Sequence, residues 1–123
     1  VQTCALPICF CVSELVNILF NQFVMGIQRQ INILAICEKK IAIVELKKKN
    51  NNTNPYLQLK EYKDYVLSDY RLAEFSGREI RLIALLEEGN KYLSNSKEAN
   101  YSDVTVFQFS MTKDYKLNIN KFL

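Results

Sequence analysis

A carboxylate and an ammonium group lie two residues apart in the segment Glu45-Leu46-Lys47. The apolar run before them predicts a strand, and alternation along a strand places the side chains of Glu45 and Lys47 on one face at its end. A carboxylate is a hard oxygen ligand for Mg²⁺, and an ammonium can orient and polarise a water molecule. The pair suits metal-assisted phosphodiester hydrolysis. The alternative is a salt bridge on an exposed strand, which contributes well under about 1 kcal/mol.

A second pair of polar side chains follows the strand. Gln58 and Tyr62 are four residues apart in a segment with helical spacing, so they share one face of the helix. An amide and a phenol can then face back toward the strand end that carries Glu45 and Lys47. The four side chains together form a candidate site.

The elements that position these residues can be read from apolar periodicity. Helices are predicted over Glu14–Met25 and Tyr56–Tyr70, with Pro55 at the first position of the second, and a shorter helix over Lys91–Ala99. Strands are predicted over Gln30–Cys37, Ile41–Leu46, Ile80–Leu86, Val104–Phe109 and Tyr115–Ile119, the first two as an antiparallel hairpin. The order is α-β-β-α-β-α-β-β.

Composition limits the function further. The chain has 123 residues, 49% of them apolar, with a net charge of +3, which is typical of one globular domain. The absence of histidine excludes Ser-His-Asp and Cys-His catalysis, HNH-type nucleases, and zinc deaminases or proteases. Neither a P-loop nor a G-x-G-x-x-G segment is present, so nucleotide-driven activity is not expected.

The amino-terminal segment Val1–Ile8 resembles the in-frame translation of a sequencing adapter. We expect it to be a scar, with residues 9–123 forming a single domain that is truncated at its amino terminus. Polar residues interrupt the apolar run that follows, and no basic segment precedes it, so we expect no membrane insertion. Among the four cysteines only Cys37 lies in the well-patterned part of the chain, which favours no disulfide framework and a cytoplasmic location.

Taken together, the segments Ile31–Ile36, Ile41–Lys47 and Gln58-Leu59-x-x-Tyr62 resemble the PD-(D/E)xK nuclease superfamily, most closely the nuclease domain of NucS-type endonucleases. The family's first strand reads approximately Ile-Asp-Leu-Leu-Ala, its second ends in Val-Glu-Leu-Lys, and a helix begins Gln-Leu-x-x-Tyr. The resemblance covers roughly residues 28–123. It implies an α/β fold with a restriction-endonuclease-like core, in which helices flank a mixed central sheet.

The same resemblance implies a metal-dependent DNA endonuclease that uses Mg²⁺ or Mn²⁺. Glu45 would be a metal ligand and Lys47 the cation that orients the water, while Gln58 and Tyr62 would brace the site or touch a phosphate. Asn32 stands where the family has a second metal-binding Asp. It keeps a carbonyl oxygen at the metal site but removes a negative charge. DNA is the implied partner, and a homodimer is open because nucleases of this class that cut both strands commonly work in pairs.

Three explanations compete for Asn32. A single base change separates an Asp codon from an Asn codon; the domain has become a catalytically inactive DNA-binding or protein-interaction module; or another carboxylate, Glu14 or Glu38, replaces the missing one.

Lys47, Lys48 and Lys49 form a basic run that can contact backbone phosphates beside the site, or simply a solvated loop. Four tyrosines at helical spacing, Tyr56, Tyr62, Tyr65 and Tyr70, can stack on bases, although half-buried core positions are the more common use of this pattern.

Overall fold

The structure is a computed structural model that describes residues 16–25, 30–96 and 101–122. These residues form a six-stranded sheet in the order β1-β2-β3-β4-β5-β6, with one α-helix. The strands are β1 (Val16–Val24), β2 (Gln30–Cys37), β3 (Lys40–Lys47), β4 (Glu79–Glu87), β5 (Val104–Met111) and β6 (Leu117–Lys121). The helix is α1 (Pro55–Ser68), and two short 3-10 helices span Tyr70–Phe75 and Lys91–Asn95.

The sheet is mixed, and its strand directions determine which strand ends meet. β2 pairs in antiparallel orientation with both β1 and β3. β4 pairs in parallel orientation with both β3 and β5, and β6 is antiparallel to β5. α1 makes the crossover between β3 and β4 and packs against both strands. The carboxyl ends of β3, β4 and β5 therefore lie at one edge of the sheet, which is also where α1 begins.

Apolar side chains are buried on both faces of the sheet. α1 contributes Tyr56, Leu59, Tyr62 and Val66 to the larger cluster, which includes Leu34, Ile43, Leu82 and Leu86 from the strands. The other face carries a smaller buried cluster that includes Ala35, Val44, Ile83 and Phe107. Because β2, β3 and β4 are buried on both faces, their sequences are almost continuous apolar runs.

The expected α/β architecture, with helices flanking the sheet, is wrong. The described residues are 47% strand and 26% helical, and they contain a single α-helix. Of the predicted helix over Lys91–Ala99, only Lys91–Asn95 is helical, as a 3-10 turn, and residues 97–99 lie outside the described residues. The predicted helix over Glu14–Met25 is wrong, because Val16–Val24 form the strand β1 and Met25 follows it without regular structure. Glu14 and Leu15 lie outside the described residues.

Two irregularities in β1 explain its helix-like sequence pattern. The register with β2 shifts between Val16 and Ile18, and Gln22 has a left-handed backbone with φ of 56°. Each irregularity breaks the alternation of a regular strand. As a result Ile18, Phe20 and Phe23 all join the larger cluster, although a regular strand would separate Phe20 from Phe23. The resulting three-residue spacing of Phe20 and Phe23 on one face resembles that of a helix.

The other predicted elements are confirmed with small changes in their bounds. The structure has the β2–β3 hairpin, α1 with Pro55 in its first turn, and β4, β5 and β6. The side chain of Asn54 caps α1 by accepting hydrogen bonds from the backbone N–H groups of Tyr56 at 2.9 Å and Leu57 at 3.3 Å. This cap fixes the start of the helix that carries Gln58 and Tyr62.

Removing the cap should therefore destabilise the domain. For Asn54→Ala we expect the free energy of unfolding to fall by about 1 kcal/mol, because two N–H groups of the first turn lose their acceptor. Urea denaturation monitored by circular dichroism measures the change. Asn50→Ala, in the exposed loop before the helix, is the matched control and should be neutral. Equal stability of the two variants would show that the cap contributes nothing.

Candidate active site

A polar cleft of about 590 Å³ lies between the carboxyl end of β3, the amino end of β2 and the first two turns of α1. The structure brings into it all five residues that the sequence assigned to catalysis: Asn32, Glu45, Lys47, Gln58 and Tyr62. Gln30, Leu46, Asn51, Thr53 and Glu61 complete its lining.

Glu45 and Lys47 form a buried ion pair at the end of β3. Their exposed fractions are 2% and 8%, and Lys47 Nζ lies 3.6 Å from Glu45 Oε2. Both side chains are on the face that α1 covers, as strand alternation predicted. Burial of a carboxylate and an ammonium costs several kcal/mol per ion unless further polar contacts compensate it. The pair is therefore not the exposed surface salt bridge of the alternative interpretation.

α1 directs two of its side chains to this pair. The hydroxyl of Tyr62 donates a hydrogen bond to Glu45 Oε2 at 3.3 Å, so this oxygen faces both the phenol and the Lys47 ammonium. Gln58, one turn earlier on the same helical face, lines the cleft, and its Oε1 is buried. The helical spacing of four residues thus places the amide and the phenol as the sequence predicted.

Two buried oxygens in the cleft have no hydrogen-bond donor among the described residues: Glu45 Oε1 and Gln58 Oε1. Leaving a buried acceptor unsatisfied costs about 1–3 kcal/mol, so such atoms are rare in folded proteins and call for a specific reason. Both belong to residues that line the same cleft. A bound cation, coordinated by oxygen lone pairs, would satisfy both atoms.

Burial raises the pKa of the Glu45 carboxyl above its usual value. The positive charge of Lys47 opposes this effect, as do the hydrogen bonds from Tyr62 and Lys47. Burial outweighs these contacts, so the ionised carboxylate is not fully compensated by its protein neighbours. An additional cation beside Glu45 would lower this pKa and stabilise the ionised form.

Asn32 lies where the regular pairing of the sheet ends. The β2–β3 ladder stops at Ile33 opposite Val44, and Asn32 is the next residue of β2 beyond it. At that point the side chain replaces the ladder, because Asn32 Oδ1 accepts a hydrogen bond from the backbone N–H of Leu46 at 3.0 Å. The asparagine therefore has a structural role that holds β2 beside the end of β3, next to the buried carboxylate.

The donor set of the cleft fits a hard divalent cation. It offers the carboxylate oxygens of Glu45, the amide oxygens of Asn32 and Gln58, and the carboxylate of Glu61, and oxygen ligands of this kind suit Mg²⁺ and Mn²⁺. Within residues 16–25, 30–96 and 101–122, no three His, Cys, Asp or Glu side chains gather into a metal-binding group. The fit rests on two carboxylates supplemented by amides.

The three lysines of the basic run separate in the structure. Lys47 is buried in the cleft, whereas Lys48 is exposed and is not part of the lining. The backbone N–H of Lys49 donates to Glu87 Oε1 at 2.7 Å, and its side chain lies beside Gly89 at the β4–β5 end of the sheet. Only Lys47 is placed to reach a group bound at Glu45, and the phosphate contacts of the other two stay predictions.

Of the two carboxylates considered as substitutes for the missing Asp, Glu38 does not line the cleft. Glu38 is in the β2–β3 hairpin, at the opposite end of β3 and more than about 15 Å from Glu45 along the strand. The hypothesis that Glu38 replaces the missing Asp is therefore wrong. Glu14 lies outside the described residues.

The tyrosines divide between core and surface. Tyr56 and Tyr62 are buried, with exposed fractions of 0% and 5%, whereas Tyr65 and Tyr70 are 41% and 86% exposed. The expectation of a core role is confirmed for the first two and wrong for the others. Tyr56 stacks on Tyr101 with ring centroids 4.4 Å apart, which secures the start of α1 against the segment before β5.

Sequence reasoning missed part of the cleft. Glu61 is three residues after Gln58, and the helical face that relates Gln58 to Tyr62 already includes it. Gln30 precedes Asn32 by two residues on β2, where strand alternation indicates it. Asn51 and Thr53 lie in the loop before α1, and no sequence signal distinguishes them from their neighbours.

Comparisons with protein-family descriptions, curated proteins and solved structures gave no match to this chain. In the part of the chain that the structure describes, no helix has the length and apolar character needed to cross a bilayer.

Proposed function

We propose that this protein is a metal-dependent DNA endonuclease that hydrolyses phosphodiester bonds in the cleft between β2, β3 and α1, with Mg²⁺ or Mn²⁺ as cofactor. The resemblance of the β2, β3 and α1 sequences to PD-(D/E)xK nucleases supports this assignment, with DNA as the substrate. The cysteine pattern supports a cytoplasmic location as part of the proposal. Nucleases of this class that cut both strands of a duplex commonly work in pairs, and we include a homodimer in the proposal.

One observation carries the proposal most strongly. The Glu45–Lys47 pair is buried at the end of β3, and the cleft beside it contains two buried oxygens without a hydrogen-bond donor among the described residues. A purely structural ion pair would be expected to have its remaining oxygen satisfied. The uncompensated oxygens of Glu45 and Gln58 instead suit a bound cation, and the adjacent ammonium suits an anionic substrate.

The residues of the cleft have distinct roles in this mechanism. When bound, the metal ion supplies Lewis-acid polarisation of the phosphodiester. Glu45 and the amide oxygens of Asn32 and Gln58 would hold it, and the Tyr62 hydroxyl fixes the Glu45 carboxylate from the opposite oxygen. Lys47, 3.6 Å from Glu45, orients the attacking water and stabilises the negative charge that grows on the phosphoryl oxygens. The water oxygen bonds to phosphorus while the bond from phosphorus to the leaving sugar oxygen breaks. The attacking water loses one proton to the solvent, and the leaving sugar oxygen takes up one proton from the solvent to become a hydroxyl.

A second candidate function is a DNA-binding module without catalytic activity. Asn32 favours it, because the amide lowers the negative charge available to a cation by one unit relative to Asp. Binding of this kind would persist in EDTA and weaken steeply as the salt concentration rises. The nuclease proposal instead requires a cation that binds at Glu45.

Thermal unfolding in the presence of Mn²⁺ tests for that cation. At ten times its Kd, Mn²⁺ should stabilise the protein by about 1.4 kcal/mol and raise Tm by about 5 °C, because it binds the folded site and not the unfolded chain. EDTA should reverse the shift. Glu45→Gln should abolish it, since the amide keeps the shape and the contacts to Tyr62 and Lys47 but loses the charge.

Glu79→Gln, exposed at the opposite end of the sheet, is the control and should keep the full shift. A Tm of the unaltered protein that does not respond to millimolar Mn²⁺ would count against a metal site, and a full response in Glu45→Gln would place the cation elsewhere.

A further inference from the structure

The cation site proposed above has one carboxylate fewer than the pattern it resembles, because position 32 is an asparagine. Mg²⁺ and Mn²⁺ depend on carboxylate charge for affinity, since amide oxygens alone replace the hydration shell poorly. Glu45 is the only carboxylate among the five catalytic residues assigned from the sequence, and Lys47 offsets its charge. A second carboxylate in the same cleft would therefore strengthen cation binding.

The structure places one carboxylate side chain besides Glu45 among the described residues that line the cleft, and it is Glu61. Glu61 belongs to α1, whereas the Asp of the family that it would replace corresponds to Asn32 on β2. Its neighbours on the helix locate it: Tyr62, the next residue, reaches Glu45 Oε2, and Gln58, about 5–6 Å away between Cβ atoms, lines the cleft.

An independent observation indicates that a ligand belongs between these side chains. Glu45 is 2% exposed, and its Oε1 has no hydrogen-bond donor among the described residues. Gln58 Oε1, one helical turn from Glu61, is also buried and has no hydrogen-bond donor among the described residues. The cleft thus combines two unsatisfied oxygens with a second carboxylate on the adjoining face of α1, which is a donor set for a cation and not for an anion.

We infer that Glu61 supplies the second carboxylate of a divalent-cation site with Glu45 and Gln58, in place of the acidic residue missing at Asn32. The inference rests on the proposed function and adds a ligand that the resemblance does not assign. It makes α1 a ligand-bearing element as well as a support for the sheet. The exposed carboxylate of Glu61 would bind the cation from the solvent side, and the buried carboxylate of Glu45 would bind it from the protein side.

Mn²⁺ binding to the full chain, measured by isothermal titration calorimetry without nucleic acid, tests the inference. Glu61→Gln should weaken the Kd for Mn²⁺ by about tenfold or more. Asp64→Asn removes the same charge one turn further along α1, outside the cleft, and should leave the Kd within about twofold of the original value. Adding Asn32→Asp to Glu61→Gln should recover most of the lost affinity, because a carboxylate then returns to the site from β2.

The outcomes separate this inference from the proposed function. If Glu45→Gln weakens Mn²⁺ binding and Glu61→Gln does not, Glu61 is not a ligand and the inference is overturned while the proposed site stands. If Glu61→Gln and Asp64→Asn lose equal affinity for Mn²⁺, the effect of Glu61 is one of overall negative charge, and the inference is also overturned. Failure of Asn32→Asp to recover affinity would show that Glu61 does not replace the missing carboxylate. No Mn²⁺ binding by the unaltered protein would overturn the proposed function together with the inference.

Discussion

Replacing Lys47 with Met should lower the rate of Mn²⁺-dependent DNA cleavage by about 10²–10³-fold, the usual cost of removing one group that stabilises charge in the transition state. Lys47 is 8% exposed and lies 3.6 Å from Glu45 Oε2, so its ammonium is held beside the proposed cation site with little water to screen it. Methionine fills most of the volume of the lysine stem and removes the charge together with its hydrogen bond to Glu45. Single-turnover cleavage of a labelled oligonucleotide at saturating Mn²⁺ measures the effect.

The matched control is Lys40→Met, at the opposite end of the same strand, where the side chain lies outside the cleft. We expect this variant to cleave at the original rate. The affinity of Lys47→Met for Mn²⁺ should not fall, because the neighbouring positive charge opposes cation binding at Glu45. Loss of folding in Lys47→Met would appear in circular dichroism and is thereby separated from loss of catalysis. An unchanged cleavage rate in a folded Lys47→Met variant would remove Lys47 from the mechanism.

The second large effect is expected from Asn32→Asp, which should raise the affinity for Mn²⁺ and the cleavage rate by about tenfold or more. One oxygen of the new carboxylate can still accept the hydrogen bond from the backbone N–H of Leu46, so β2 stays beside β3. The other oxygen adds a negative charge beside Glu45. A tenfold gain in affinity corresponds to about 1.4 kcal/mol.

The same substitution should destabilise the protein when no cation is present. Two carboxylates at neighbouring positions raise each other's pKa and oppose ionisation, and Glu45 already has a raised pKa because of its burial. The Mn²⁺-induced rise in Tm should therefore be larger in Asn32→Asp than in the original protein. Asn118→Asp, exposed on β6, controls for the added charge and should change neither quantity. A variant that folds and binds Mn²⁺ no better would show that position 32 does not face the cation.

Much of the site could be predicted from the sequence because its residues follow the side-chain periodicity of one strand and one helix. Alternation along β3 places Glu45 and Lys47 on one face, and the four-residue spacing on α1 places Gln58 and Tyr62 together. What the sequence did not indicate is the burial of the ion pair. That burial arises because α1 crosses from β3 to β4 and covers the carboxyl end of β3, which is a tertiary arrangement.

The fold was less predictable at irregular elements. β1 was mistaken for a helix because the register shift near Val16 and the left-handed Gln22 change its alternation. The segment after Asn90 has the composition of a helix start but continues for only one short 3-10 turn in the described residues. Asn32 was recognised as a departure from the acidic pattern, whereas its hydrogen bond to Leu46 depends on where the β2–β3 ladder ends.

The most direct test of the central claim is cleavage of supercoiled plasmid with Mn²⁺ by three forms of the full chain: the original, Asn32→Asp, and Asn32→Asp combined with Lys47→Met. We expect the Asn32→Asp form to nick or linearise the plasmid, the original to do so more slowly, and the double variant to be inactive although folded and able to bind Mn²⁺. Equal cleavage by all three, or none by a folded Asn32→Asp form that binds Mn²⁺, would contradict the assignment of the Glu45–Lys47 cleft as a nuclease site.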